Sequence, residues 1–144
     1  MISTGIGVDS HRLERGRPLI LGGVDIPHEE GLAGHSDADV LTHAIVDALL
    51  GAGAMGDIGQ HFPDTDATYK DADSLELLRV VKGLLERHGY RIVHVDATVM
   101  MERPKLSPYR DRMRETLAGA LERADPAGRA RGGGGEGAPG ARGR

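Results

Sequence analysis

Asp9 and His11 stand two residues apart in a stretch that alternates apolar with small or polar residues, and an extended chain turns such neighbours to one face. Together they offer a carboxylate and an imidazole, two groups that a divalent ion accepts as ligands. His43 offers a second imidazole. It falls in a segment with helical periodicity whose apolar face is Val40, Leu41, Ala44, Ile45, Ala48 and Leu49. At ~100° per residue it points roughly 150° away from the middle of that face, so it is not placed as a core histidine. Taken alone, an Asp-x-His is more often a surface turn, and an off-face helical His more often an exposed one. Taken together, two neutral imidazoles and one carboxylate leave a fourth coordination position open, the pattern of catalytic rather than structural zinc. The chain has no cysteine. Thiolate sites and disulfides are thereby excluded, and any metal must be held by His, Asp or Glu.

Three further stretches carry groups suited to anions or hydroxyls. His35-Ser36-Asp37 precedes the His43 helix, where Ser36 or Asp37 can cap the first turn and where free N–H groups and the dipole favour a phosphate. Gly56-Asp57-Ile58-Gly59 and Phe62-Pro63-Asp64-Thr65-Asp66 combine glycines that permit close backbone approach with carboxylates that accept from hydroxyls. Glu102-Arg103-Pro104-Lys105 closes a strand-like stretch and could turn Lys105 toward a phosphate, although a solvated surface Lys is the commoner outcome.

The elements that must hold these groups alternate between strand and helix. Ile2 to Asp9 reads as a half-buried strand with Ile2, Thr4, Ile6 and Val8 on one side. Leu19 to Leu21 and Val24 to Ile26 flank Gly22-Gly23 as a hairpin or bulged strand. A helix is expected from about Ala38 to Gly51, followed by a long polar loop over residues 51–73. Asp73 with Glu76 opens a second helix from about Ser74 to His88 in the manner of a capping box, ended by Gly89. Arg91 to Met101 reads as a strand, and Ser107-Pro108 begins a third helix to about Leu121. The expected fold is an α/β (α+β) domain, a sheet flanked by helices on one side.

Composition narrows the partners. The net charge is −4 over 144 residues, and because residues 123–144 carry net +3, residues 1–122 carry −7. Nucleic acid is therefore not the expected partner. No basic region leads into an apolar run at the N-terminus and no stretch approaches the ~20 apolar residues of a membrane span, so the expectation is a cytoplasmic protein with no membrane association. Residues 123–144 use only Gly, Ala, Arg, Pro, Asp and Glu, with eight Gly among 22 residues. Such a tail cannot contribute to a core beyond Ala and Pro, and is expected to be disordered.

Seven motifs stand in one order: Gly7-Val8-Asp9-Ser10-His11, Leu21-Gly22-Gly23-Val24, Gly34-His35-Ser36-Asp37-Ala38-Asp39-Val40, Ala48-Leu49-Leu50-Gly51, Gly56-Asp57-Ile58-Gly59, Phe62-Pro63-Asp64-Thr65-Asp66 and Pro104-Lys105-Leu106. Over about residues 2–122 the chain resembles the 2-C-methyl-D-erythritol 2,4-cyclodiphosphate synthase family of the non-mevalonate isoprenoid pathway. The resemblance implies a lyase that cyclises 4-diphosphocytidyl-2-C-methyl-D-erythritol 2-phosphate and releases CMP. It further implies a homotrimer with active sites between adjacent subunits. Zinc would sit on Asp9, His11 and His43, and Mg²⁺ or Mn²⁺ would bind with the substrate diphosphate. The residues implied to meet substrate are Asp9, His11, His35 and Ser36, then Asp57, Ile58 and Gly59, Phe62 through Asp66, and Met101, Pro104, Lys105 and Leu106, with His35 in a catalytic role. The family continues past the third helix with a Lys-Ala-Thr-Thr-Thr-Glu-like strand and a Gly-Arg-Gly-Glu-Gly-like turn. Here residues 123–144 match neither, so the expected domain is 1–122 with an aberrant, frameshift-like tail. A degenerate metal- or nucleotide-binding protein and a metal-dependent phosphohydrolase are the alternative readings.

Overall fold

Short strands near the N-terminus pair as two antiparallel ribbons, one of them closed by a glycine turn. In the computed structural model, which describes residues 1–34, 36–63, 73–122 and, for the backbone alone, 140–143, Leu13–Arg15 forms β1, Leu19–Leu21 β2, Val24–Ile26 β3 and Glu30–Leu32 β4. β2 and β3 make the expected hairpin, with Leu21 opposite Val24. Gly22 and Gly23 take φ values of +56° and +75°, the left-handed pair that matches the twist of the flanking strands. Leu19, Leu21, Val24 and Ile26 all turn into the core. β1 pairs with β4 from Leu13 opposite Leu32 to Arg15 opposite Glu30.

Three helices stand close to where the sequence places them, and a fourth, of a single turn, falls inside the stretch expected to be a loop. α1 spans Val40–Ala52, α2 Ile58–His61, α3 Ser74–Arg87 and α4 Arg110–Leu121, the last entered through a 3-10 turn at Ser107–Tyr109. α1 packs on α3 and α3 on α4, burying Val46, Leu50, Leu78, Val81, Met113 and Leu117 around the hairpin. Ending α3, Gly89 adopts a φ of +84°. Asp73 caps α3 by accepting from the Leu75 N–H, but Glu76 pairs with Arg79 on the helix surface instead of closing the expected capping box. The buried face of α1 is Leu41, Thr42, Ile45, Val46, Leu49 and Leu50. Ala44 and Ala48, expected in the core, lie on the edge of that face and do other work.

That work concerns the N-terminal segment, where the expectation of a half-buried strand is corrected. Among the described residues Ile2 to Asp9 joins no hydrogen-bonded strand, and Ile6 and Val8 are 86% and 83% exposed. The glycine face packs instead. A Cβ built on Gly7 would stand 2.0 Å from the Ala44 carbonyl oxygen, and one on Gly5 2.0 Å from that of Ala48. Alternation correctly divides the two faces, but close approach to a helix backbone favours the face with no side chains. Replacing Gly7 with Val should push the segment off α1 and destabilise the protein by ~1–3 kcal/mol, the usual cost of overpacking. It should also weaken metal binding, because Asp9 and His11 ride on the same segment. Unchanged melting and metal affinity would show that this contact does not position them.

The single sheet expected from the sequence is also corrected, since the described strands form three separate two-stranded sheets. Of the stretch from Arg91 to Met101, only Asp96–Val99 is a strand, β5. Its partner is the backbone of Gly140–Gly143, β6, which runs parallel to it. The tail expected to lack order thus carries a strand near its end, as ladder hydrogen bonds need only backbone groups and not a particular side chain. Residues 123–139 and 144 lie outside the described residues. Between the N-terminal segment, α1 and residues 95–103 opens a cleft of about 800 Å³. Among the described residues no helix is long and apolar enough to cross a membrane.

Candidate functional site

The start of α1 is fixed by Asp39, and not by Ser36 or Asp37 as expected. Asp39 is 0% exposed. One carboxylate oxygen accepts from the Thr42 N–H at 3.0 Å and the Gly22 N–H at 3.0 Å, the other from the Gly23 N–H and the Thr42 hydroxyl, both at 2.7 Å. Burial pushes this carboxyl above its usual value, and the four hydrogen bonds act against that rise. A cap that also reaches a hairpin turn 17 residues away is a tertiary feature, invisible in local capping statistics. Its consequence is a helix end locked to β2 and β3, with the helix N-terminus already capped by a carboxyl group of its own.

His43 follows one turn into α1, beside the N-terminal segment. Asp9 Oδ2 lies 3.3 Å from His43 Nδ1 and 3.4 Å from His11 Nδ1, and one ligand atom from each of the three residues falls within 4.8 Å of the others. The imidazole rings are 5.6 Å apart, tilted at 51°. Ligands bound ~2.0–2.1 Å from one zinc occupy tetrahedral corners roughly 3.3–3.4 Å apart, so both carboxylate-to-imidazole spacings suit a shared ion. His11 Nδ1 supports the same fit, being buried with no hydrogen-bond partner, a costly state that a metal bond would relieve. For His43, burial lowers the pKa, but the hydrogen bond and charge of Asp9 together with the charges of Asp39 and Asp37 outweigh it and raise the value. Protons therefore compete with a metal for this nitrogen from a higher pH than for an ordinary histidine.

The other nitrogen of His43 is also engaged. Its Nε2 lies 2.8 Å from Ser74 Oγ and 3.1 Å from Ser36 Oγ. Ser74, the first residue of α3, is fully buried, and both its N–H and its hydroxyl donate to Asp37. Locally, Ser74 marks only a helix start and Asp37 only a cap. A serine directly behind a cap residue is the one local mark, and its partner lies 31 residues away. Arg17 shapes the same loop from outside, donating to the carbonyls of Leu32 and Gly34 at 3.1 Å and of Ser36 at 3.5 Å.

The remaining expected residues are more scattered. His35, Asp64, Thr65 and Asp66 lie outside the described residues. Asp57 caps α2 by accepting from the Gln60 N–H at 2.9 Å, Gly59 sits in that helix, and the Ile58 N–H donates to Asp47 of α1 at 2.7 Å. Phe62 packs against the core and Pro63 is half-buried beside it. Met101 lines the cleft that Asp9 and His11 also border. Pro104 is half-buried, Lys105 exposed, and Leu106 only 4% exposed in the core. Any ligand contact by Leu106 would therefore come from its backbone. The described chain thus brings Asp9, His11, Ser36 and His43 together, places Met101 in the cleft that Asp9 and His11 border, and holds the 57–63 group near the other end of α1.

Comparison with known proteins identifies the family. The chain is 61% identical over 118 residues to the 2-C-methyl-D-erythritol 2,4-cyclodiphosphate synthase of Chloroherpeton thalassium, covering 82% of this chain and 75% of that protein. A solved 2C-methyl-D-erythritol-2,4-cyclodiphosphate synthase in its CDP-bound form superposes with a TM-score of 0.80 at 37% identity, over 97% of this chain and 86% of the other. The bifunctional IspDF of Campylobacter jejuni matches with a TM-score of 0.85 at 36% identity, this chain being covered entirely while spanning only 36% of the longer one. The sequence pattern of the YgbB family matches residues 2–127, and the chain belongs to that family.

Proposed function

We propose that this chain cyclises 4-diphosphocytidyl-2-C-methyl-D-erythritol 2-phosphate to 2-C-methyl-D-erythritol 2,4-cyclodiphosphate with release of CMP. The observation that carries this reading is the convergence of Asp9, His11 and His43 in a chain so similar to synthases of that name. In the reaction an oxygen of the 2-phosphate forms a bond to the β-phosphorus while the bond from that phosphorus to the bridging oxygen breaks, and the oxygen leaves with CMP. No protein nucleophile is needed. Both partners are anions, so the barrier is one of charge repulsion and alignment.

Asp9, His11 and His43 would hold Zn²⁺, and a second ion, Mg²⁺ or Mn²⁺, would accompany the diphosphate. Bound there, divalent ions supply positive charge to the phosphate oxygens. His35 and Ser36 would contact phosphate, with His35 in the catalytic role. The methylerythritol part would meet Asp57, Ile58 and Gly59 together with Phe62 through Asp66. Met101, Pro104, Lys105 and Leu106 would meet the cytidine diphosphate of a neighbouring subunit. A homotrimer with sites between subunits, in the cytoplasm, completes the reading. A CDP-bound relative of the same fold supports a cytidine nucleotide as the ligand class.

Incubation of the purified chain with zinc, magnesium and the cytidylyl substrate tests this, beside a version carrying a family-like C-terminal segment. Equal release of CMP and cyclic diphosphate is expected. Linear hydrolysis products would replace the reading with a metal-dependent phosphohydrolase. Tight zinc and cytidine-nucleotide binding without turnover in the chain, but with turnover in the restored version, would make this chain a binding protein with a damaged active site.

A further inference from the structure

We propose that Ser74 and Asp37 are positioning residues for the metal, holding His43 so that Nδ1 and not Nε2 faces it; this rests on the reading of His43 as a ligand. The geometry points one way. Nδ1 is the nitrogen beside Asp9, at 3.3 Å, while Nε2 is turned to Ser74 Oγ at 2.8 Å. The Ser74 hydroxyl proton is committed to Asp37 Oδ1, and the Ser74 N–H donates to Asp37 Oδ2 at 2.9 Å. With its proton given away, Ser74 Oγ can only accept from the imidazole. Nε2 therefore carries the hydrogen, and the lone pair of a neutral His43 is left on Nδ1.

A ligating histidine commonly donates its second N–H to a carboxylate or carbonyl, which fixes its tautomer and raises its basicity. Here a buried hydroxyl is interposed between imidazole and carboxylate. Ser36 Oγ is the competing acceptor at 3.1 Å, but it is longer and already accepts from the Ala38 N–H at 3.2 Å. The arrangement also joins three elements, as α1 supplies His43, α3 supplies Ser74, and the loop before α1 supplies Asp37. The plain alternative is that Ser74 merely ties the start of α3 to that loop. It predicts no effect on metal affinity.

Zinc affinity is measured by chelator competition on the wild-type chain, Ser74→Ala and Asp37→Asn, with melting of each metal-free protein as control. Ser74→Ala keeps the backbone N–H bond to Asp37 and should melt close to wild type. Its zinc affinity should fall ~10–100-fold, the range for loss of an outer partner. Asp37→Asn, a weaker acceptor of the Ser74 proton, should fall in the same direction by less, and serves if Ser74→Ala folds poorly. In the zinc-loaded wild type, a downfield and slowly exchanging His43 Nε2–H proton should be visible by NMR, and Ser74→Ala should lose that protection. Wild-type affinity in both variants would overturn the relay while leaving His43 a ligand. Failure of the wild type to bind one zinc would overturn the ligand reading itself.

Discussion

His43→Ala should abolish stoichiometric zinc binding and, with it, cyclisation of the cytidylyl substrate. On the proposed reading the imidazole would supply one of three protein ligands, so its loss should exceed the ~10–100-fold effect expected from removing an outer partner. The fold should survive. His43 lies off the buried face of α1, which is carried by Leu41, Thr42, Ile45, Val46, Leu49 and Leu50, and Ala is the best helix former. The cost in the metal-free protein falls on Ser74, Ser36 and Asp9, which lose the imidazole, while the Ser74 hydroxyl keeps Asp37. Inductively coupled plasma analysis of the purified variant checks the metal content, and circular dichroism its helix content. One zinc per chain retained by a folded His43→Ala protein would contradict the ligand assignment. Loss of metal with native helix content would support it.

The sequence displayed those features whose causes are local. Gly22-Gly23 between Leu19-Ile20-Leu21 and Val24-Asp25-Ile26 specified a hairpin, because a glycine pair takes two consecutive positive φ values at little cost. α3 was readable from Asp73 and Gly89, and α4 from Ser107-Pro108 ahead of it. The metal cluster was readable in part. An Asp-x-His and an off-face helical His are each common, but their residue types are complementary, and the three side chains do converge.

Features set by distant partners stayed hidden. Asp39 looks no better a cap than Ser36 or Asp37 until the N–H groups of Gly22 and Gly23 arrive beside it. Ile2 to Asp9 shows a sound alternation, yet the alternation cannot say that glycines rather than isoleucines would meet α1. β1, with Leu13, Glu14 and Arg15 all exposed, carries no burial pattern at all, and only its pairing to β4 defines it. Neither could any local signal join Ser74 to His43.

Asp39→Ala should give the largest loss of stability of any substitution considered, through the same four hydrogen bonds that make Asp39 the keystone of α1. Truncation leaves the N–H groups of Gly22, Gly23 and Thr42 and the Thr42 hydroxyl without their acceptor. A buried group left unpaired costs ~1–3 kcal/mol, and loss of an N-cap alone costs about 1 kcal/mol. Against this stands relief from burying a carboxylate, so a net loss on the order of 3–5 kcal/mol is expected, as for breaking a buried charged network. At roughly 2–4 °C per kcal/mol for a chain of this size, the melting temperature should fall by about 10 °C.

The two substitutions separate fold from site. His43→Ala should melt like the metal-free wild type and gain nothing from zinc. Asp39→Ala should melt early but recover several degrees as zinc is added, because a ligand that binds only the folded state stabilises it by mass action. Its zinc titration should also be weaker, since the hairpin no longer anchors the helix turn that carries His43. Thermal melts with and without zinc check both, and an Asp39→Ala protein melting within ~2 °C of wild type would mean that the four donors find water instead. The asymmetry follows from position: the ligand sits one turn inside the helix, and the residue that starts the helix holds the hairpin.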